Sequence, residues 1–427
     1  MNILMMTNTY LPFIGGVERS VETFTEEYRR MGHRVIIVAP AFENEPADES
    51  DVIRVPALQH FNGTDFSVQL PIPGVLSVAL RDFRPDIVHS HHPFMIGDSA
   101  LRVAWQFEVP LIYTFHTFYE RYTHYVPGDS PALKRFVTAL ATGYANLCDH
   151  VFAPSLSVAE ELRKRGVKNS ISVVPTGISV ERFSVGDRRG FREALGILPD
   201  NFVLGLVSRI APEKNIEFLV SAVKRYMEKN SRACFLLTGT GPLQQSVIRE
   251  FEEEKFKSRF FYTGTLVGKQ LVDAYHAMDV FTFASQTETQ GLVVMEAMAA
   301  GLPVVAVNGP GIGEVVQNFK SGRLLERKDV EEFCEALGWV EGLSRQSLLE
   351  VKKFVRNAAA RFSREECSRR ALEIYSLLIR NYSRSDRSHN AWERAKRRVK
   401  AEFDLLKNMT RATGAAMGES SMESGGM

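Results

Sequence analysis

The sequence predicts an α/β protein of two doubly wound parallel-sheet domains, and three observations carry that expectation. Short apolar, β-branched runs alternate with amphipathic helical patterns along most of the chain. The pattern restarts at FVLGLVSRI (Phe202–Ile210) after a polar, Gly- and Pro-punctuated stretch from Arg182 to Asp200. At 427 residues, the chain is also too long for a single hydrophobic core.

Composition narrows the class. With 44% hydrophobic and 24% charged residues and a formal charge of +1, the chain reads as an ordinary globular protein. It has no overall basic excess for nucleic acid, so an electrostatic partner must be met by a local patch. Cys148, Cys234, Cys334 and Cys367 are far apart and lack metal-ligand spacing, which predicts reduced, structural thiols. No stretch reaches the ~20 apolar residues of a membrane span. NILMMTNTY begins a strand at the second residue and leaves no signal-peptide pattern, so the cytoplasm is the expected compartment.

In the first half, strands are expected at Ile3–Thr9, Arg34–Pro40, Asp51–Pro56, Asp86–Ser90, Pro110–Phe115, His150–Pro154 and Ile171–Pro175. Helices are expected between them at Val17–Met31, Pro93–Phe107, Leu133–Asn146 and Ser155–Arg165. The second half adds strands at Ala233–Thr238, Arg259–Thr263, Val280–Ala284, Pro303–Val307 and Gly322–Leu325. The expected domains are residues 1–183 and 201–361, then a crossover helix over 362–383 and a tail over 384–427. Ligands bind such sheets beyond the strand carboxyl ends, and two facing edges form one central cleft.

The richest stretch is SQTETQGLVVMEAMAAGLPVVAVN (Ser285–Asn308). Glu288 falls in a strand-to-helix turn and Glu296 within the helix, about 80° round and ~12 Å along the axis. Backbone N–H groups from Thr289 through Gly291 to Leu292 make an anion-favouring helix start between them. Carboxylates accept sugar hydroxyls while N–H groups hold phosphate. An unpaired Glu296 charge in an apolar stretch would be costly, which weighs against a solvated surface role.

Other loops fit the same ligand. Gly15-Gly16 follows the first strand and opens a helix, where main chain can approach a phosphate. VSRIAPEKN puts Arg209 at a strand end and Lys214 at a helix start, a fork and a point charge suited to a diphosphate. LLTGTGPL and FFYTGTL each end a strand in a glycine turn, a weak signal alone.

ETQGLVVMEAMAAGLPVVA closely resembles the E-x7-E segment of retaining, nucleotide-sugar-dependent glycosyltransferases of the GT-B fold, and similar motifs recur from Tyr10 to about Tyr382. The resemblance implies two Rossmann-like domains facing a cleft, with a last helix crossing back to the first. It further implies that Gly16 meets the donor diphosphate, Arg209 and Lys214 (R-x4-K) bind its phosphates, and main chain near Thr265 and Leu266 holds uracil. His116, at the end of PLIYTF, matches the acceptor-side histidine. HTFYERYTHY is similar to the acceptor segment of bacterial diacylglycerol glucosyltransferases, implying lipid contact by Tyr119, Tyr122 and Tyr125, although their spacing alone reads as core packing. No Asp-x-Asp pair is present to hold a metal, so no metal site and no cofactor are expected beyond the nucleotide sugar, UDP-glucose, as substrate.

Past the amphipathic run Phe362–Tyr382, Arg384 to Arg411 carries nine Lys/Arg against four Asp/Glu, net +5, and ends in GAAMGESSMESGGM, expected to be disordered. Such a basic amphipathic segment, with Lys134 and Arg135, suits an anionic membrane surface as well as a solvated helix. The expected function is hexose transfer to diacylglycerol at the inner face of the cell membrane. The alternatives are transfer to phosphatidylinositol or a polysaccharide, and a UDP-sugar epimerase on the same fold.

Overall fold

The computed structural model describes residues 1–13, 15–43, 45–46, 49–58, 68–69, 76, 79–123, 128–385 and 391–418, with main chain alone for 58, 68–69, 383–385 and 391–398. It divides into two compact units, Met1–Gly177 with Cys367–Met427, and Ile178–Glu366.

The large sheet of the first unit has seven strands among the described residues: β1 (Asn2–Met6), β2 (Arg34–Pro40), β3 (Val52–Val55), β4 (Ile87–Ser90), β5 (Leu111–Thr114), β6 (His150–Ala153) and β7 (Ile171–Val173). They lie in the order β3-β2-β1-β4-β5-β6-β7, every neighbour parallel. The two-residue period of a strand sends alternate side chains to separate cores. Ile3 and Met5 pack with Val21, Phe24 and Tyr28 of α1 (Gly16–Arg30). Leu4 and Met6 pack with Ile96, Ala100 and Leu101 of α2 (Ile96–Phe107). Ser130 caps α3 (Pro131–Ala145) by accepting the Leu133 N–H, and Ser155 caps α4 (Leu156–Lys164) by accepting that of Val158. Strand order reverses between β1 and β4, so their carboxyl ends open the crevice where such sheets bind ligands.

The second unit repeats the design. β8 (Phe202–Val207), β9 (Ala233–Thr238), β10 (Phe260–Gly264), β11 (Val280–Phe283), β12 (Val304–Val307) and β13 (Gly322–Leu325) lie in the order β10-β9-β8-β11-β12-β13, all parallel. Its switch point falls between β8 and β11. The stretch read as a linker, Arg182 to Asp200, instead carries the end of α5 (Val180–Ser184) and all of α6 (Arg188–Leu195) within this unit. Arg192 is buried: Nη2 donates to Asp279 Oδ2 at 2.7 Å and Nε to the Ala277 carbonyl at 2.8 Å. Arg188 donates to Asp279 Oδ1 at 2.6 Å. Two arginines of the polar stretch are thus its anchors. Further helices are α7 (Ile216–Lys229), α8 (Gly268–Ala277), α9 (Leu292–Ala299), α10 (Val330–Glu341) and α11 (Arg345–Ala360).

Helix α12 (Arg364–Ser385) begins in the second unit and belongs to the first from Cys367 onward. Cys367, Ala371, Leu372 and Tyr375, on one helical face, are buried with Tyr28 and Phe152 in the first unit's core. The basic amphipathic tail, expected on a membrane surface or as a solvated helix, is a helix, α13 (Ala391–Met417), with one side docked on α2 and α3. Buried Asn408 donates to the Leu140 carbonyl at 3.1 Å, and a Cβ at Gly143 would fall 1.7 Å from Asn408 Oδ1, so glycine permits the approach. Arg102 pairs with Glu402 at 2.6 Å. Arg135, expected at lipid phosphate, donates to the carbonyls of Ala415 and Ala416 at the helix C-terminus, and Lys134 pairs with Asp129 at 3.4 Å. Gly414 to Met417, expected to be disordered, are helical, and 419–427 lie outside the described residues. Among the described residues, no helix is long and apolar enough to cross a membrane.

Candidate active site

In the second unit the loop after β8 and the loop after β11 are stitched together. Asn215, in the left-handed conformation at the start of α7, donates from Nδ2 to the Ala284 carbonyl at 2.8 Å. Ser285 and Thr287 hydroxyls donate to the Glu213 carbonyl at 3.4 and 3.2 Å. These bonds bring Lys214 Nζ to 2.5 Å from Glu288 Oε1, with the two side chains 18% and 16% exposed. Burial alone would raise the Glu288 carboxyl. The Lys214 charge and hydrogen bonds from Lys214 and Ser285 outweigh it and hold it below the ordinary value. Arg209 lies on the same loop as Lys214 and is exposed.

Gly291 opens α9 with φ +76°, and a Cβ there would meet Ile312 Cδ1 at 2.3 Å. Among the described residues no side chain caps α9 by a hydrogen bond. Glu296 is buried within α9 and accepts from Tyr275 Oη on α8 at 2.8 Å, which gives its carboxylate a partner in the apolar surroundings. Thr289 and Leu292 are half-buried beside Gly291. Thr265 is exposed after β10 and its hydroxyl lies 3.1 Å from that of Thr240 after β9, while Leu266 packs on the core. The turn NGPGIG (308–313) was not singled out in sequence, although three glycines in six residues after a strand were the signal. It brings Gly311 against the main chain of Gln290 and Ile312 against Gly291.

In the first unit, Gly15 is extended before α1 and a Cβ at Gly16 would meet nothing within 4 Å. Thr9 Oγ1 hydrogen-bonds the Glu18 carboxylate in the first turn of α1. At the switch point, Asn8 N–H donates to His92 Nδ1 at 3.0 Å, and Asn8 Oδ1 accepts from the Ile96 N–H at the start of α2. His116, two residues past β5, does not stand alone: His91 Nδ1 lies 2.8 Å from His116 Nε2 and the rings stack. His89, behind them, is held between Tyr375 Oη at 2.5 Å and Thr114 Oγ1 at 2.6 Å. Burial pushes His89 and His92 down to about 3, and it drives His91 and His116, with the neighbouring histidines, well below the ordinary value. Sequence reading assigned a role only to His116; the histidine-rich stretch HSHHPF (His89–Phe94) holds the other three. Among the described residues, no three His, Cys, Asp or Glu side chains form a metal-binding group.

Of the tyrosines expected to face lipid, Tyr119 is a correction. Phe118 is buried in the first unit's core, and Tyr119 packs on that core with its ring 4.7 Å from Phe94 and its hydroxyl buried. Near-helical spacing meant packing here, because the run folds under α3 instead of projecting outward. Tyr122 is half-buried and Tyr125 lies outside the described residues.

Residues 14–182 match the family described as Glycosyltransferase Family 4, and residues 187–359 match Glycosyl transferases group 1. The alpha-monoglucosyldiacylglycerol synthase of Acholeplasma laidlawii is 29% identical over 390 residues, covering 84% of this chain and 95% of the relative. A GDP-mannose-dependent alpha-mannosyltransferase of Corynebacterium glutamicum is 28% identical over 362 residues, covering 81% and 82%. Among solved structures, Anabaena HepE in complex with UDP superposes with a TM-score of 0.70 at 20% identity, covering 88% of this chain and 100% of that one. Two family matches that together span most of the chain, laid on two sheets of doubly wound order, show that the protein belongs to the GT-B glycosyltransferases.

Proposed function

We propose that the protein moves a hexose from UDP-glucose to the hydroxyl of 1,2-diacylglycerol, with retention of anomeric configuration and without a metal, at the inner face of the cell membrane. The Lys214–Glu288 pair at the switch point of the second sheet, 2.5 Å apart, carries this reading. Arg209 and Lys214 neutralise the departing diphosphate together with the uncapped start of α9. Glu288 accepts a hydroxyl of the transferring sugar and Glu296 the ribose hydroxyls, while main chain at Thr265 and Leu266 holds the base. Gly16 offers main chain to phosphate, with the Glu18 carboxylate lying against Gly15 beside it. His116 meets the acceptor side.

The bond from the anomeric carbon to the diphosphate oxygen breaks, and a bond to the acceptor oxygen forms on the same face. The acceptor proton passes to the leaving diphosphate oxygen, so no protein base is consumed. The glucosyldiacylglycerol synthase among the relatives supports the lipid acceptor, and UDP in HepE supports the nucleotide. The mannosyltransferase relative supports GDP-mannose as the competing donor. The test offers the full chain UDP-glucose, UDP-galactose and GDP-mannose with diacylglycerol in vesicles and determines the anomeric linkage by NMR. An α-glucoside is expected; a β-linked product, or free sugar alone, contradicts the reading.

A further inference from the structure

Helix α13 has two apolar faces. One, formed by Ala401, Leu405, Asn408 and Ala412 at helical spacing, faces the first unit: three of these are buried and Leu405 packs on its core. At 100° per residue, Val399, Phe403 and Leu406 stand about 140–200° round from Ala401. They are 71%, 62% and 67% exposed. Lys400, Lys407 and Arg411, all exposed, run along one flank of that ridge at the same spacing. Met409 borders its other side and lines a groove of about 400 Å³ with Phe94, Met95, Phe136, Val137 and Leu140.

A solvated helix has no reason to keep a continuous apolar ridge outward while its inner face is satisfied. An apolar ridge flanked by a row of bases matches the boundary of an anionic bilayer, where acyl chains meet lipid phosphate. We propose that α13, clamped to the first unit by its inner face, is the element that docks the protein on anionic membrane. Phe403 and Leu406 enter the acyl boundary and Lys400, Lys407 and Arg411 meet phosphates. This deepens the lipid-acceptor reading, since diacylglycerol stays in the bilayer, and it replaces Tyr119 as the anchor.

The test uses the full chain and vesicles of phosphatidylcholine with or without about one-third phosphatidylglycerol. Wild type is expected to sediment with the anionic vesicles at low salt and to be released as salt rises. Phe403→Glu with Leu406→Glu is expected to lose at least about tenfold in vesicle affinity, because a charge replaces each inserted side chain. Lys400→Glu with Lys407→Glu and Arg411→Glu is expected to lose the preference for anionic lipid. UDP affinity and the thermal transition, expected to stay at wild-type values, exclude misfolding. Unchanged sedimentation of the Phe403/Leu406 variant overturns the inference. So does a wild-type dimer that this variant splits while still binding vesicles, which would make the ridge an interface between copies. Because sedimentation needs no turnover, failure here is distinguishable from failure of the transferase reading, which shows as absent lipid product in a protein that does bind vesicles.

Discussion

His91 and His116 stack with ring centroids 5.1 Å apart and interplanar angle 21°, and His91 Nδ1 lies 2.8 Å from His116 Nε2. The other nitrogen of His91, Nε2, is buried without a hydrogen-bond partner among the described residues. A proton there would be an unpaired buried N–H, so the favoured tautomer carries its proton on Nδ1 and donates it to His116 Nε2. His116 then holds its own proton on Nδ1. His91 is thereby a positioning residue for His116. His91→Phe is expected to lower kcat by up to about 10²-fold with donor KM little changed, and His91→Asn, which restores an N–H donor, to recover part of it. Equal kcat in wild type and His91→Phe contradicts the assignment.

The neighbouring histidines His89 and His92 make stability depend on pH. His89 and His92 titrate at about 3 in the folded chain because burial disfavours the imidazolium. The unfolded chain takes up these protons near ~6.5, so the contribution is complete above that pH and falls as pH drops toward about 3. The urea midpoint is expected to decline between pH 6.5 and 4.5. His92→Gln, whose amide oxygen can still accept the Asn8 N–H, should show a shallower slope, by up to about 1.4 kcal/mol per pH unit. Parallel slopes in the two proteins would count against a neutral buried His92.

Lys214 and Glu288 stabilise each other as well as a ligand. Lys214→Ala leaves Glu288 largely buried without its cation, and should cost about 3 kcal/mol of stability alongside weaker UDP binding. In this pair the carboxylate is held below its ordinary value, so the contribution is present above the unfolded pKa and lost only as pH falls through the lower folded one. Donor affinity should therefore be flat in its dependence on Glu288 from pH 6 to 8. Chemical denaturation and calorimetry across that range check both statements.

Glu296 is expected to act in binding. Glu296→Gln should weaken UDP affinity by about 1.5–3 kcal/mol, the range of a hydrogen bond to a charged group, with Tyr275 still able to donate to the amide oxygen. Calorimetry giving the same UDP affinity in both proteins removes Glu296 from the ribose.

Periodicity reported the two sheets well, because their inner strands, such as β2, β8, β9 and β12, are buried on both faces and read as short apolar runs, while the half-buried edge strands β3, β7, β10 and β13 carry weaker patterns. The segment from Glu288 to the helix that holds Glu296 was legible for a related reason: a charge inside LVVMEAMAA must have a partner, and Tyr275 supplies it. What sequence hid was tertiary. Arg188 and Arg192 look like linker residues until Asp279, some ninety positions away, is seen between them. Tyr119 looks like an aromatic anchor until Phe94 is found against its ring. The charge count of the last helix was visible, but its two-sided character depends on α2 and α3 covering one face.

The most direct measurement is transfer of glucose from UDP-glucose to diacylglycerol in vesicles, in EDTA, by wild type and Glu288→Gln side by side, with UDP affinity measured on both. The account predicts glucosyl lipid from wild type in EDTA. It also predicts a loss of about 10²-fold or more in the variant, because the contact to the transferring sugar is gone, with UDP affinity within a few-fold. No lipid product from wild type until a divalent metal is added, or equal turnover by the variant, would contradict it.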